Sequence, residues 1–101
     1  FVHAADDLAA RALAEAQVDA DQLVAATETA LAADGDLLDA HERAAVDAAL
    51  ADVARCRAGT DHRALVAATH ALNRATTELA ARRMDRGVAR ALTGQRVDAL
   101  S

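Results

Sequence analysis

Residues 1–33 constrain this chain most, because they contain no glycine, no proline and no turn cluster. Such a stretch predicts one helix roughly 50 Å long, at about 1.5 Å per residue. In a three- or four-helix bundle built from a chain of this length the helices are about half as long, so part of the rod must project. The apolar positions also change face along it. Phe1, Ala5, Leu8 and Ala12 form one stripe; Leu13, Ala16, Ala20, Leu23, Thr27 and Leu31, with Val24 beside Leu23, form another. The first half reads as an arm and the second as the first helix of a bundle.

The remaining segments read as shorter helices. Gly35, inside Asp34-Gly35-Asp36, is placed to close the first helix in a left-handed conformation. Asp39 followed three residues later by Glu42 is a capping-box pattern with Asp in place of Ser or Thr, and predicts a second helix over 40–58. Its stripe is Val46, Leu50 and Val53, with Ala49 and Arg57 flanking. Gly59 ends it, and Arg55 and Arg57 oppose the negative end of its dipole. Asp61 caps a third helix over 61–83, with the near-heptad stripe Leu65, Thr69, Leu72, Thr76 and Leu79. At Arg83-Met84-Asp85 the apolar pattern shifts to Met84, Val88 and Leu92. Either the third helix bends there, or a short fourth helix over 84–93 begins with Asp85 as its cap. Gly94 ends that element, and 95–101 reads as a frayed tail. The short loops make successive helices antiparallel neighbours. The expected fold class is all-α, a long N-terminal arm helix running into a compact antiparallel three- to four-helix bundle.

Composition supports helix and limits stability. Almost a third of the residues are Ala, which favours helix strongly but buries little area per residue. A net charge of −5 argues against nucleic acid as the main partner. The single cysteine, Cys56, allows no internal disulfide and predicts a reducing, cytoplasmic compartment. Phe1-Val2-His3 has neither a basic region nor an apolar run, so it does not read as a secretory signal. No stretch reaches membrane-spanning length, so no membrane partner is expected. Phe1 stands in a helix already under way, with no initiating Met and no capping residue, which predicts a piece cut from a longer protein.

Chemistry is hard to find. Among His3, His41, His62 and His70 no His–His, His–Cys or His–Glu pair forms a metal-ligand cluster at i,i+3 or i,i+4. Only His41-Glu42 and Cys56 with His62 are near one another, across a helix end, and the four read as scattered surface histidines. Cys56 lacks a positioned base and reads as a small residue near the bundle seam. No phosphate-binding glycine loop, nucleophile elbow or zinc motif occurs. No catalytic, cofactor-binding or metal residue is therefore expected, and the chain is not expected to be an enzyme. Near the C-terminus Arg82, Arg83, Arg86, Arg90 and Arg96 stand against only Asp85 and Asp98. These arginines either compensate helix dipoles and pair with the acidic first and second helices, or form a docking patch for an acidic partner.

The order of elements, a long arm helix feeding a compact bundle, resembles the C-terminal helical lid of Hsp70 chaperones. The run 31–38, Leu-Ala-Ala-Asp-Gly-Asp-Leu-Leu, is similar to the first turn of that lid. The run 80–94, followed by Val97-Asp98, resembles the ending of the bacterial Hsp70 subfamily devoted to iron–sulfur cluster assembly. Arg82-Arg83-Met84-Asp85 is the most specific piece of that likeness. The short remainder of the chain, with no acidic terminal motif, also fits that subfamily. The resemblance implies a parent protein with an ATPase domain, using ATP and Mg, and a β-sandwich that holds client peptides under the lid. None of these lies in this chain, and no cofactor is implied for it. The implied partners are the parent's own sandwich, an iron–sulfur scaffold client with a Pro-containing segment, and a J-domain co-chaperone. General Hsp70 lids latch to the sandwich through an Arg, an Asp and a His; ungapped placement from Gly35 puts those positions at Gln17, Asp21 and Ala25. Only the carboxylate remains, so a mainly apolar closure is implied.

The expected function is therefore a lid segment of an iron–sulfur-assembly Hsp70. Alternatives are the lid of a general Hsp70, or a free-standing helical dimerisation or adaptor domain. Phe1, Val2, Ala5, Leu8 and Ala12 are the expected arm contact. With no sandwich to cover it, that stripe also predicts a weak homodimer.

Overall fold

The computed structural model describes the backbone of residues 2–100 and the side chains of residues 7–93. Four helices, α1 (Val2–Asp34), α2 (Ala40–Arg57), α3 (His62–Ala75) and α4 (Thr77–Leu100), account for almost all of the described chain; a 3₁₀ turn (Gly35–Leu37) joins α1 to α2. No strand occurs among the described residues. The fold is all-α, as the uninterrupted helical patterning predicts.

The starts of α2 and α3 have a chemical cause. At α2 the Asp39 carboxylate accepts from the Glu42 backbone N–H at 2.7 Å, and Glu42 Oε1 accepts from the Asp39 N–H at 3.0 Å, a complete capping box. At α3 one Asp61 oxygen accepts from the backbone N–H groups of Arg63 and Ala64 at 3.0 and 3.2 Å. Helix ends differ from the expectation at Gly35. No described glycine has positive φ, and the chain leaves α1 through the 3₁₀ turn, closed by the Leu38 N–H donating to the Gly35 carbonyl at 3.2 Å. Gly59 likewise keeps negative φ; its N–H donates to the Cys56 carbonyl just past the end of α2.

The core is a layer of branched side chains set on alanines. Val46 and Val53 from α2, and Leu65 and Leu72 from α3, each pair seven residues apart, meet Ala16 and Ala20 of α1 and Ala68. Leu13, Leu23, Val24 and Leu31 of α1 border this cluster, as do Leu50 and Cys56 of α2. Small residues on α1 let its backbone come close, and α3 carries most of the contact with both α1 and α2. Direction follows from the ion pairs. Arg57, at the end of α2, reaches back to Asp21 in the middle of α1, so α2 runs antiparallel to the second half of α1. Ahead of Leu13 the described side chains of α1, residues 7–12, are exposed apart from half-buried Ala12, and Leu8 is 64% exposed. The arm and the distal part of α4 leave the bundle at opposite ends, giving extents of 70 × 29 × 16 Å and a radius of gyration of 18.5 Å. A compact chain of this size has about 13 Å.

The break after α3 lies at Thr76, not near Met84 as the shift in apolar pattern suggests, and Asp85 caps nothing, being inside α4. Thr76 Oγ1 donates to the carbonyls of Leu72 and Asn73, and Thr77 Oγ1 to that of Asn73. Two adjacent hydroxyls bonding back onto the preceding turn locally bend the helix. The backbone ladder continues on either side, through the N–H of Thr76 to Leu72 and that of Ala80 to Thr76. The break is a jog between two nearly consecutive helices. Met84, Val88 and Leu92 therefore face solvent rather than a core, and helix continues past Gly94 to Leu100 where a frayed tail was expected.

Leu72 is fully buried at the centre of this packing. Replacing it with Ala should cost about 2–4 kcal/mol in chemical unfolding. A change below about 0.5 kcal/mol would show that the seam is elsewhere.

Candidate functional site

The best-built polar constellation sits where α1 passes to α2. Asp34 ends α1 and is 8% exposed, Asp36 is in the 3₁₀ turn, and Glu42 is in the first turn of α2. The α1 C-terminus is the negative end of a helix dipole and has no basic residue in its last turn. Three arginines of α4, the neighbours Arg82 and Arg83 and then Arg86 one turn on, supply the missing positive charge. Arg82 donates to both Glu42 oxygens at 2.7 and 2.8 Å, and also to the Leu37 carbonyl at 2.7 Å. Arg83 donates to Asp34 at 2.8 Å. Arg86 bridges Asp34 at 2.9 Å and Asp36 at 2.7 and 3.1 Å. Planar guanidinium forks suit this work, because each can hold two acceptors in a fixed geometry.

The carboxylates respond as expected. Hydrogen bonding from Arg83, reinforced by Arg86, holds the Asp34 carboxyl below the usual carboxylate range despite its burial. The Arg86 guanidinium does the same for Asp36. For Glu42 the Arg82 bond is the larger cause and the Asp39 backbone N–H the next. Glu42 Oε1 thus serves both the capping box and the clasp, while Oε2 serves the clasp alone. A second pair joins α1 to α2: Arg57 donates to both Asp21 oxygens, at 2.6 and 2.9 Å, and lowers the Asp21 carboxyl.

The residues singled out in the sequence divide accordingly. Arg82 and Arg83 are fasteners of the bundle corner. Their neighbours in the signature run are not: Met84 is 71% exposed, and Asp85 is exposed as well. Phe1 lies outside the described residues, and so do the side chains of Val2 and Ala5; Leu8 is exposed and Ala12 half-buried on the arm. Of the latch positions, Gln17 is half-buried, Ala25 is exposed, and the exposed Asp21 carboxylate is engaged with Arg57 of α2 on the bundle surface. His41 and His70 are exposed and His62 half-buried, and no group of three His, Cys, Asp or Glu among the described residues could hold a metal ion. No helix among the described residues is long and apolar enough to cross a membrane. Arg86 belongs to the arginine cluster expected either to pair with the acidic first and second helices or to form an outward patch, and its bonds to Asp34 and Asp36 are of the first kind; Asp34, Asp36 and Glu42 were not expected as partners by residue. The sequence signal for the pairing is an acidic run, Asp34 to Glu42, with no Arg inside it, and a basic run, Arg82 to Arg90, that contains four arginines and the single carboxylate Asp85.

A depressed carboxyl stabilises the fold above its unfolded pKa, and that contribution is lost as pH falls through the folded one. The thermal midpoint should therefore hold from neutral pH to about 5 and drop below about 4. In Asp34→Asn it should start lower at neutral pH and fall less steeply in acid. Parallel pH profiles for the two proteins would show that Asp34 contributes nothing through its charge.

No protein-family model matches the chain. Curated relatives do. The chain is 60% identical over 95 residues to the chaperone protein HscA homolog of Azoarcus sp. (strain BH72), covering 94% of this chain and 15% of that protein. Against the HscA homolog of Cupriavidus pinatubonensis identity is 53% over 100 residues, 99% of this chain and 16% of the relative. For that of Burkholderia thailandensis it is 55% over 98 residues, 97% and 16%. The chain thus spans about a sixth of the length of the relatives it matches. Over nearly its whole length it belongs to the HscA chaperones of the Hsp70 family, and the part it represents is their C-terminal helical lid.

Proposed function

We propose that the chain is the lid of a chaperone dedicated to iron–sulfur cluster assembly, closing over client peptide held in the parent's β-sandwich. The observation that carries this reading is the high identity to HscA homologues along nearly the whole chain, together with a rod that outruns its bundle. The mechanism is steric. A closed lid slows escape of the bound peptide, and ATP with Mg in the parent's distant domain opens it. The arm is the lever, and the bundle fastened by Asp21–Arg57 and the arginine clasp is the rigid mass at its end. Because Asp21 is already engaged, closure rests on apolar contact by the arm, with Leu8 and Ala12 extending the stripe of Phe1, Val2 and Ala5.

The client is an iron–sulfur scaffold segment, the co-chaperone a J-domain protein, and the compartment the cytoplasm. Nucleotide binding belongs to the parent; this chain offers no glycine-rich cradle for phosphate. Separated from the sandwich, the exposed arm pairs weakly with a second copy.

Peptide release separates this reading from others. In the intact parent bound to ADP, a labelled Pro-containing scaffold peptide should leave on the order of tenfold faster when this segment is deleted, and measurably faster with Leu8→Glu, tenfold being ~1.4 kcal/mol. Unchanged release in the deleted form would refute the lid function. Micromolar binding of the same peptide by this chain alone would make it a binding module instead.

A further inference from the structure

The chain's apolar core is complete without its last helix. Every member of the central cluster lies on α1, α2 or α3. Along α4 Leu79 is the one described side chain that is fully buried, and beyond it Met84, Val88 and Leu92 are 71%, 53% and 59% exposed. What holds the middle of α4 is charge: Arg82 on Glu42, Arg83 on Asp34, and Arg86 on Asp34 and Asp36. The jog at Thr76, where hydroxyls already compete for the backbone carbonyls, gives α4 a turning point free of core residues. Two energetic regimes therefore meet in one bundle: packing for three helices, and ion pairing with a single leucine anchor for the fourth.

We propose that α4 is a strap, fastened by the arginine clasp and hinged at Thr76, that detaches as a unit while α1, α2 and α3 stay folded. Detachment uncovers Leu79 and removes one wall of a shallow groove of about 200 Å³, which Leu79, Ala80 and Arg83 line opposite Leu23, Ala26, Thr27 and Ala30 of α1. It also unpairs three carboxylates, Asp34, Asp36 and Glu42, where α1 passes to α2, so docking and undocking change the charge of that corner sharply. The control variable is ionic strength. Ion pairs weaken as the screening length falls from about 10 Å at 0.1 M salt to about 3 Å at 1 M, while apolar packing does not. Burial of Asp34 protects part of the clasp, and the exposed Asp36 rim responds first. Once undocked, α4 is a lone helix of marginal stability, and its amides exchange with solvent.

Hydrogen exchange read by mass spectrometry on this chain tests the strap. Between about 0.05 and 1 M NaCl, amides of residues 80–93 should exchange at least about tenfold faster, while those of residues 44–56 and 64–74 keep their rates. Arg83→Gln combined with Arg86→Gln should reproduce the loosening at low salt, and Asp36→Asn should do so more weakly. Protection of α4 that stays equal to that of α2 and α3 in high salt and in the double variant would overturn the proposal. So would loss of protection in all four helices together, including a double variant that fails to fold, because α4 would then be integral to the bundle.

Discussion

Carboxylates gather where α1 hands over to α2, and the helix ending there adds negative partial charge of its own. Asp34, Asp36, Asp39 and Glu42 stand within nine residues, and α1 brings no cation in its last turn. The Asp39 carboxylate is engaged by the backbone N–H of Glu42 at the start of α2. The other three require positive charge from elsewhere, and the jog at Thr76 sends α4 across this corner so that Arg82, Arg83 and Arg86 arrive in register. The local chemistry of the corner and the path of the last helix are thus one problem with one solution. Without the arginines the turn carries uncompensated charge, one member of it nearly buried. Without the carboxylates α4 keeps little besides Leu79 to hold it.

The same division explains the outline of the molecule. Alanines on α1 allow close approach but bury little surface, so the apolar core reaches only as far as Val46, Val53, Leu65 and Leu72 extend. Outside that layer, polar contacts fix the remaining geometry: Asp21–Arg57 aligns α2 against α1, and the clasp places α4. Along the described side chains of the arm, residues 7–12, neither kind of support is present. For a lid this is coherent, since a lever needs a rigid end and a face left for something else to cover.

Much of this was legible in the residues. Helix class, the overhang of the first helix, the Asp39 capping box and the Asp61 cap all follow from local patterns, because caps and periodicity act over three or four residues. The seam residues Val46, Val53, Leu65 and Leu72 were legible for the same reason. Three features were not. Gly35 invited a left-handed closure, but a 3₁₀ turn satisfies the end of α1 without it. The stripe Leu65 to Leu79 runs through Thr76 at unbroken spacing, so periodicity conceals a jog made by hydroxyl-to-carbonyl bonds. The pairing of Arg86 with both Asp34 and Asp36 spans about fifty residues of sequence, and only the packed register reveals it. Family likeness pointed to Arg82-Arg83-Met84-Asp85 without saying why; the structure assigns its first two residues to the corner and leaves Met84 and Asp85 in solvent, with no structural account of their presence.

The claim on which the rest stands is that the arginine run acts inward, on the carboxylates of its own chain. A double-mutant cycle between Asp34 and Arg83 measures this directly, with stabilities of wild type, Asp34→Asn, Arg83→Gln and the pair taken at low ionic strength. The clasp predicts that Asp34→Asn costs distinctly less once Arg83 is already Gln, with the coupling shrinking in 1 M salt. Strict additivity of the two substitutions would contradict it and return the arginines to the role of an outward-facing patch.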